Sequence, residues 1–199
     1  MKRSLCLLLT LTLMFGCGRA AAADYDPKLN YLDIVYRACC CGDRDAGRAA
    51  AICYNEWLDD RGSLAARLDF DELLWLAKLI QHEAGSSGIG LEWRMCVGEV
   101  VLNRVASPEF PNSIEEVIFQ PGQYAGVDSD EFRILLDPDA LSAEAALRLL
   151  QGDRIMEPAV VFQANFRQGG GEYLRFYHPA CGTTYFCLSN HPEYYANEE

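Results

Sequence analysis

The chain is 199 residues long and half hydrophobic, with 17 basic against 29 acidic residues and a formal charge of −12. So large an acidic excess, without a basic cluster, argues against nucleic acid and anionic membrane surfaces as partners. The length is enough for one domain with a sizeable core.

Lys2 and Arg3, the apolar run Leu5 to Phe15 and the small residues Ala20 to Ala23 read as a secretory signal over 1–23. Its apolar run is too short to span a bilayer. Its removal leaves 14 basic against 29 acidic residues, a charge of −15, and no later stretch reads as a transmembrane segment. The expected location is therefore exported: extracellular, cell-wall or periplasmic. Lipid anchoring at Cys17 is a variant of this reading, with Met14 where a lipobox usually has leucine. Seven cysteines remain, and export permits disulfides. The spacing suggests Cys181 with Cys187, and one of Cys39 to Cys41 with Cys53.

Residues 29–62 predict a helical hairpin, "LNYLDIVYRACCC" and "AGRAAAICYNEWLDD" about the turn "GDRD". It forms an N-terminal unit over 24–68, a packing or partner-binding addition to a second unit over 69–199. That unit opens with "FDELLWLAKLIQHEAG", capped by Asp69 or Asp71, whose Leu73, Leu76, Ala77 and Ile80 form one stripe. A helix follows over 91–106, where Gly98 is expected to permit a close helix contact. "IEEVIF" is a short element, "QPGQYAGV" a loop, and "SAEAALRLLQG" a last helix closed by Gly152. "AVVFQANF", "EYLRFYH" and "TYFCL" then predict a small antiparallel sheet. The fold class is α+β, mainly helical with a C-terminal sheet.

One more step along the stripe of the 70–84 helix reaches Glu83 and Ala84. A carboxylate there loses hydration and faces the negative end of its helix, so its protonated form is favoured. Such a group can donate a proton near neutral pH, as cleavage of a glycosidic bond requires. The plain alternative has Glu83 tilted to the stripe's edge and solvated. "HEAGS" begins like a zinc-protease motif, but Ser86 stands where the second histidine belongs, so neither a metal nor a cofactor is implied. A cysteine nucleophile paired with His178 or His191 is a weaker option, because Cys96 lies in an apolar stripe. Glu92, Glu99 and Asp128 are the candidates for the second carboxylate that most glycosidases use. The amides and rings of "QPGQYAGV" and "VVFQANFRQGGGEYLRF" suit either a glycan groove or a packed sheet.

"LAKLIQHEAG", "VGEVVLNRVASPEFPNSIEEVIFQPGQYAGV", "VVFQANFRQGGGEY" and "TYFC" together resemble the cell-wall hydrolase family that includes the spore cortex-lytic enzymes. The resemblance implies a lysozyme-like domain that cleaves peptidoglycan glycan strands, with Glu83 as its catalytic acid. It further implies lytic transglycosylation between N-acetylmuramic acid and N-acetylglucosamine, in which one carboxyl serves as acid and then as base. Gln123, Tyr124 and Gln163 become groove residues by the same matching, with Asn103 and Tyr185 as further substrate contacts. Many relatives have "EARGE" where this chain has "EAGSS", so the groove wall beside Glu83 is expected to differ. A hydrolytic muramidase and an inactive peptidoglycan-binding module are the alternatives.

Overall fold

A computed structural model describes residues 27–63 and 65–195, so the expected signal segment and Cys17 lie outside the described residues. Helices α1 (Pro27–Cys41), α2 (Arg44–Asp59), α3 (Phe70–Ala84) and α4 (Leu91–Ala106) are followed by a short α5 (Ile114–Ile118). A π-helical turn at Glu131–Leu135 leads to α6 (Ala140–Leu150), and strands β1 (Val160–Ala164), β2 (Gly171–His178) and β3 (Gly182–Leu188) close the chain. The class is α+β. The sheet is antiparallel with β3 at its centre, an order that the strand patterns alone did not contain. No helix among the described residues is long and apolar enough to cross a membrane.

Helix α3 starts where Asp69 accepts the backbone N–H groups of Asp71 and Glu72. Its stripe is fully buried: Leu73, Leu76, Ala77, Ile80 and Ala84 have no exposed surface. Helices α4 and α6 pack against it. All three meet at Gly98, where a Cβ would come within 2.6 Å of Leu149 Cδ1 and 2.7 Å of Ile80 Cδ1. A polar seam joins the ends of the same helices. Gln81 Oε1 accepts from the Asp139 N–H at 3.2 Å, and Arg94, itself buried, donates to the Asp139 carboxylate at 2.7 Å and to the Ser142 hydroxyl.

A second set of buried polar groups fixes the sheet to α4. Glu99 accepts the N–H groups of Ile155 and Met156 at 2.9 and 3.1 Å. One turn later Asn103 donates to the carbonyls of Glu157 and Val160, and Arg104 Nε donates to the carbonyl of Val161 at 2.7 Å. A carboxylate thus meets backbone donors, and an amide and a guanidinium meet backbone acceptors, along the approach to β1. This satisfies backbone groups that irregular chain would otherwise leave buried and unpaired.

The hairpin of α1 and α2 packs on α3, with α1 also touching α6. Arg48 donates to both carboxylate oxygens of Asp71, and Asn55 exchanges two hydrogen bonds with the backbone of Leu68, each at 2.9 Å. The cysteines depart from expectation, since no two described ones stand at disulfide distance. Cys181 lies in the turn before β3 and Cys187 near the end of that strand. Extended chain at about 3.3 Å per residue holds them roughly 20 Å apart, far beyond the ~7 Å a disulfide spans.

Gly47 of α2 is the closest contact in the hairpin's seat, because a Cβ there would fall 2.1 to 2.4 Å from the buried ring of Phe70. In an exposed helix, glycine to alanine gains about 1 kcal/mol. Here a rigid ring stands in the way, and overpacking costs about 1–3 kcal/mol. Gly47→Ala is expected to be net destabilising and to lower Tm by about 2–6 °C, read by thermal unfolding; an unchanged or raised Tm would show that the seat is loose.

Candidate functional site

The buried stripe of α3 ends on Ala84, and Glu83 stands at its margin in the last turn. Glu83 is exposed on the side that faces water. Protein atoms crowd its other sides, and the resulting desolvation pushes its carboxyl above the usual carboxylate range. The charge of His82, a hydrogen bond from Gln163 and the charge of Arg104 each pull it partly back. Desolvation depends on every surrounding atom and not only on the strip that water touches, so the crowding governs proton affinity despite the access.

Three elements converge on the carboxyl. From β1, Gln163 Nε2 donates to Glu83 Oε2 at 3.1 Å. From the 120–127 loop, Tyr124 brings a hydroxyl that is buried without a hydrogen-bond partner and senses the charge of Glu83. From α4, Arg104 lies beneath the Tyr124 ring with its carbon 5.3 Å from the ring centre. The loop is tied down beside the acid, where His82 Nε2 donates to the Ala125 carbonyl at 2.8 Å. Its flanks are held by an aromatic cluster, with Phe119 before it and Phe132 after it both packed on Trp75.

On the other side, the tip of the β2–β3 hairpin meets the loop after α3. Cys181 Sγ donates to Ser86 Oγ at 3.3 Å, and His178 Nε2 lies 3.2 Å from where a Gly88 side chain would begin. Trp93 supports this contact by stacking on Phe176 with ring centres 5.2 Å apart.

The other expected substrate contacts have different surroundings. Gln123 is exposed on the loop. Asn103 is buried, with its amide nitrogen given to two backbone carbonyls, so it holds β1 in position. Tyr185 pairs with Ala164 and Arg175, while the next residue, Phe186, pairs with Gln163 and Leu174. Neighbours on a strand point to opposite faces, so Tyr185 stands on the face away from Gln163, under the guanidinium of Arg167. Of the candidate second carboxylates, Glu99 is fully buried and engaged with backbone, Asp128 pairs with Arg133 at 3.2 Å, and Glu92 is exposed at the start of α4. Arg104 belongs to the site although the sequence reading did not single it out.

A cavity of about 640 Å³ lies on the loop's other flank, lined by Phe110, Pro111, Asn112, Phe119 and Gln120 among others. It does not include Glu83. Its one carboxylate, Glu116, accepts from the Ser113 hydroxyl at 2.9 Å in a helix cap. The cavity offers rings and amides.

A carboxyl whose pKa is higher in the fold than its unfolded value of about 4.3 binds its proton more tightly when folded. The stability from this source is complete below the unfolded pKa and is lost as pH rises through the folded one. Above the folded pKa the ionised Glu83 therefore burdens the fold. Glu83→Gln is expected to be more stable than wild type at pH 7 in urea unfolding, with the gain vanishing below about pH 4. Equal stability at both pH values would mean that the carboxyl is simply solvated.

The sequence profile of the cell wall hydrolase family matches residues 90–197, more than half of the chain. The spore cortex-lytic enzyme of Bacillus subtilis (strain 168) is 32% identical over 92 residues, 46% of this chain and 29% of that protein. No solved structure matches. The profile begins just before α4 and takes in the polar ladder of Glu99, Asn103 and Arg104, the Gln123–Tyr124 loop and the sheet, and on this match the chain belongs to the cell wall hydrolase family.

Proposed function

We propose that the protein cleaves the glycan strands of peptidoglycan between N-acetylmuramic acid and N-acetylglucosamine, as a lytic transglycosylase in which Glu83 is the only acid and base. The observation that carries this reading is the state of the acidic side chains around the groove. Glu83 is raised above the usual range and meets an amide, whereas Glu99 is spent on backbone donors and Asp128 on Arg133. A retaining or inverting hydrolase needs a pair of carboxyl groups about 5–9.5 Å apart. A transglycosylase does not.

Protonated Glu83 gives its proton to the bridging oxygen as the bond from the muramic C1 breaks, and the N-acetylglucosamine side leaves as an alcohol. Positive charge develops at C1 and the ring oxygen. The Glu83 carboxylate then removes the proton from the muramic 6-hydroxyl as that oxygen bonds to C1, closing a 1,6-anhydro ring and restoring the acid. No water is consumed. The Gln163 amide holds Oε2, which leaves Oε1 to carry the travelling proton. Tyr124 offers a ring to a sugar face, and the cavity beyond it offers Phe110 and Phe119 with the amides of Asn112 and Gln120. Rings and neutral amides suit N-acetylated sugars. In this reading residues 69–199 form the catalytic unit, the hairpin braces α3, and the protein acts after export.

Purified peptidoglycan digested by the chain without residues 1–23 is expected to release anhydromuropeptides, read by mass spectrometry. Glu83→Gln should lower the rate at least about 10³-fold, the order that a general acid supplies. Reducing ends would replace this reading with a muramidase, and no soluble fragments from several wall types would replace it with a binding module.

A further inference from the structure

Arg104 is the one group of the site that packing alone does not explain. It is 4% exposed and forms no ion pair among the described residues. Burying a guanidinium without a carboxylate partner costs several kcal/mol, and an apolar side chain of similar length would fill the space without that cost. Its partial compensations are visible. Nε donates to the Val161 carbonyl, and the carbon lies 5.1 Å from the Phe110 ring centre and 5.3 Å from that of Tyr124. Ring faces attract a desolvated cation, which offsets part of that cost. Nη1 remains buried with no partner.

We propose that Arg104 is a positioning residue for Glu83: a buried counter-cation that holds Tyr124 and β1 around the acid and favours its carboxylate in the step where it acts as base. The geometry carries the positioning, and the charge of Arg104 adds to it. The bond to Val161 fixes β1 two residues before Gln163, whose amide holds Glu83, and the ring contact fixes Tyr124. The charged and polar groups facing Glu83 are His82 from α3, Arg104 from α4, Tyr124 from the loop and Gln163 from β1. Of these, Arg104 is the buried cation. Its charge opposes the desolvation of Glu83, and a group that must give and retake one proton works best with its pKa near the operating pH. The role in the base step rests on the transglycosylase reading, whereas the coupling between the two side chains does not.

The decisive measurement is a pH titration of the full chain without residues 1–23, followed by NMR of the Arg104 side-chain nitrogen and the Glu83 carboxyl carbon. The Arg104 signal is expected to shift with the same midpoint as Glu83 and to lose that step in Glu83→Gln. In kinetics, the alkaline limb of kcat/KM reports the protonated acid. Arg104→Gln is expected to move it up by about one pH unit, and Arg104→Lys to return it towards wild type. An Arg104 signal with no step at the Glu83 midpoint overturns the proposal, as does an unmoved limb in a folded Arg104→Gln protein. If that variant does not fold, the wild-type titration decides alone. If the wild type releases no fragments, the functional reading fails while the coupling still stands or falls by the titration.

Discussion

The core-facing side of helix α3 must be buried along its whole length while His82 and Glu83 in its last turn stay open to water, and the rest of the molecule is arranged around that constraint. Six of its side chains have no exposed surface, and α4, α6 and the hairpin pack against it. Burial of such aliphatic side chains is worth about 1.5–3 kcal/mol each for the larger ones. The last turn is anchored by Ile80 and Ala84, and Glu83 projects from this packed element. Precise placement of a reacting group needs that kind of support. The seam of Gln81, Arg94, Asp139 and Ser142 closes the same end with hydrogen bonds, where apolar packing would have covered the acid.

What the sequence disclosed follows from where its signals are local. The stripe of α3, the stop after Ala84, the tight place at Gly98 and the three strands are all written in short-range patterns of apolar, capping and turn residues. Glu83 drew attention because a carboxylate falls where the stripe would continue, and the structure places it at the stripe's exposed margin. Tyr185 was not, because the face it occupies depends on the pairing register of β3, and β1 and β2 each carry a bulge that no local rule predicts. Asn103 and Glu99 lie beside an apolar stripe and could equally serve a substrate or the backbone. Their partners are more than fifty residues away in sequence. Arg104 could not be recognised at all, since its meaning comes from two rings and a carbonyl contributed by three separate segments.

Those three side chains explain why the stretch "VGEVVLNRV" is so polar for a buried helix face. Each reads a different part of the backbone between residues 155 and 161, and together they set the height of β1 against α4. Gln163 is two residues beyond the last rung. Its distance to Glu83 is thus a consequence of α4, although neither residue belongs to that helix. The carboxylate of Glu99, which a search for a catalytic pair would have chosen, is spent on this alignment. Glu99 is the one fully buried carboxylate among the described residues, and it is committed to structure.

The loop after Glu83 makes the same point from the other side. Where the family resemblance leads one to expect an arginine and a second glutamate, this chain has Gly85, Ser86 and Ser87. Small residues let the loop approach the β2–β3 turn closely enough for Ser86 to meet Cys181 and for Gly88 to clear His178. A charged pair at those positions would stand between loop and hairpin and would add both signs of charge beside the acid. In its absence, Arg104 is the buried cation and Gln163 the hydrogen-bond donor that act on Glu83. The wall is built by contact rather than by charge, so the proton affinity of Glu83 is raised by the atoms packed around it and drawn back by His82 of its own helix, Gln163 of β1 and Arg104 of α4.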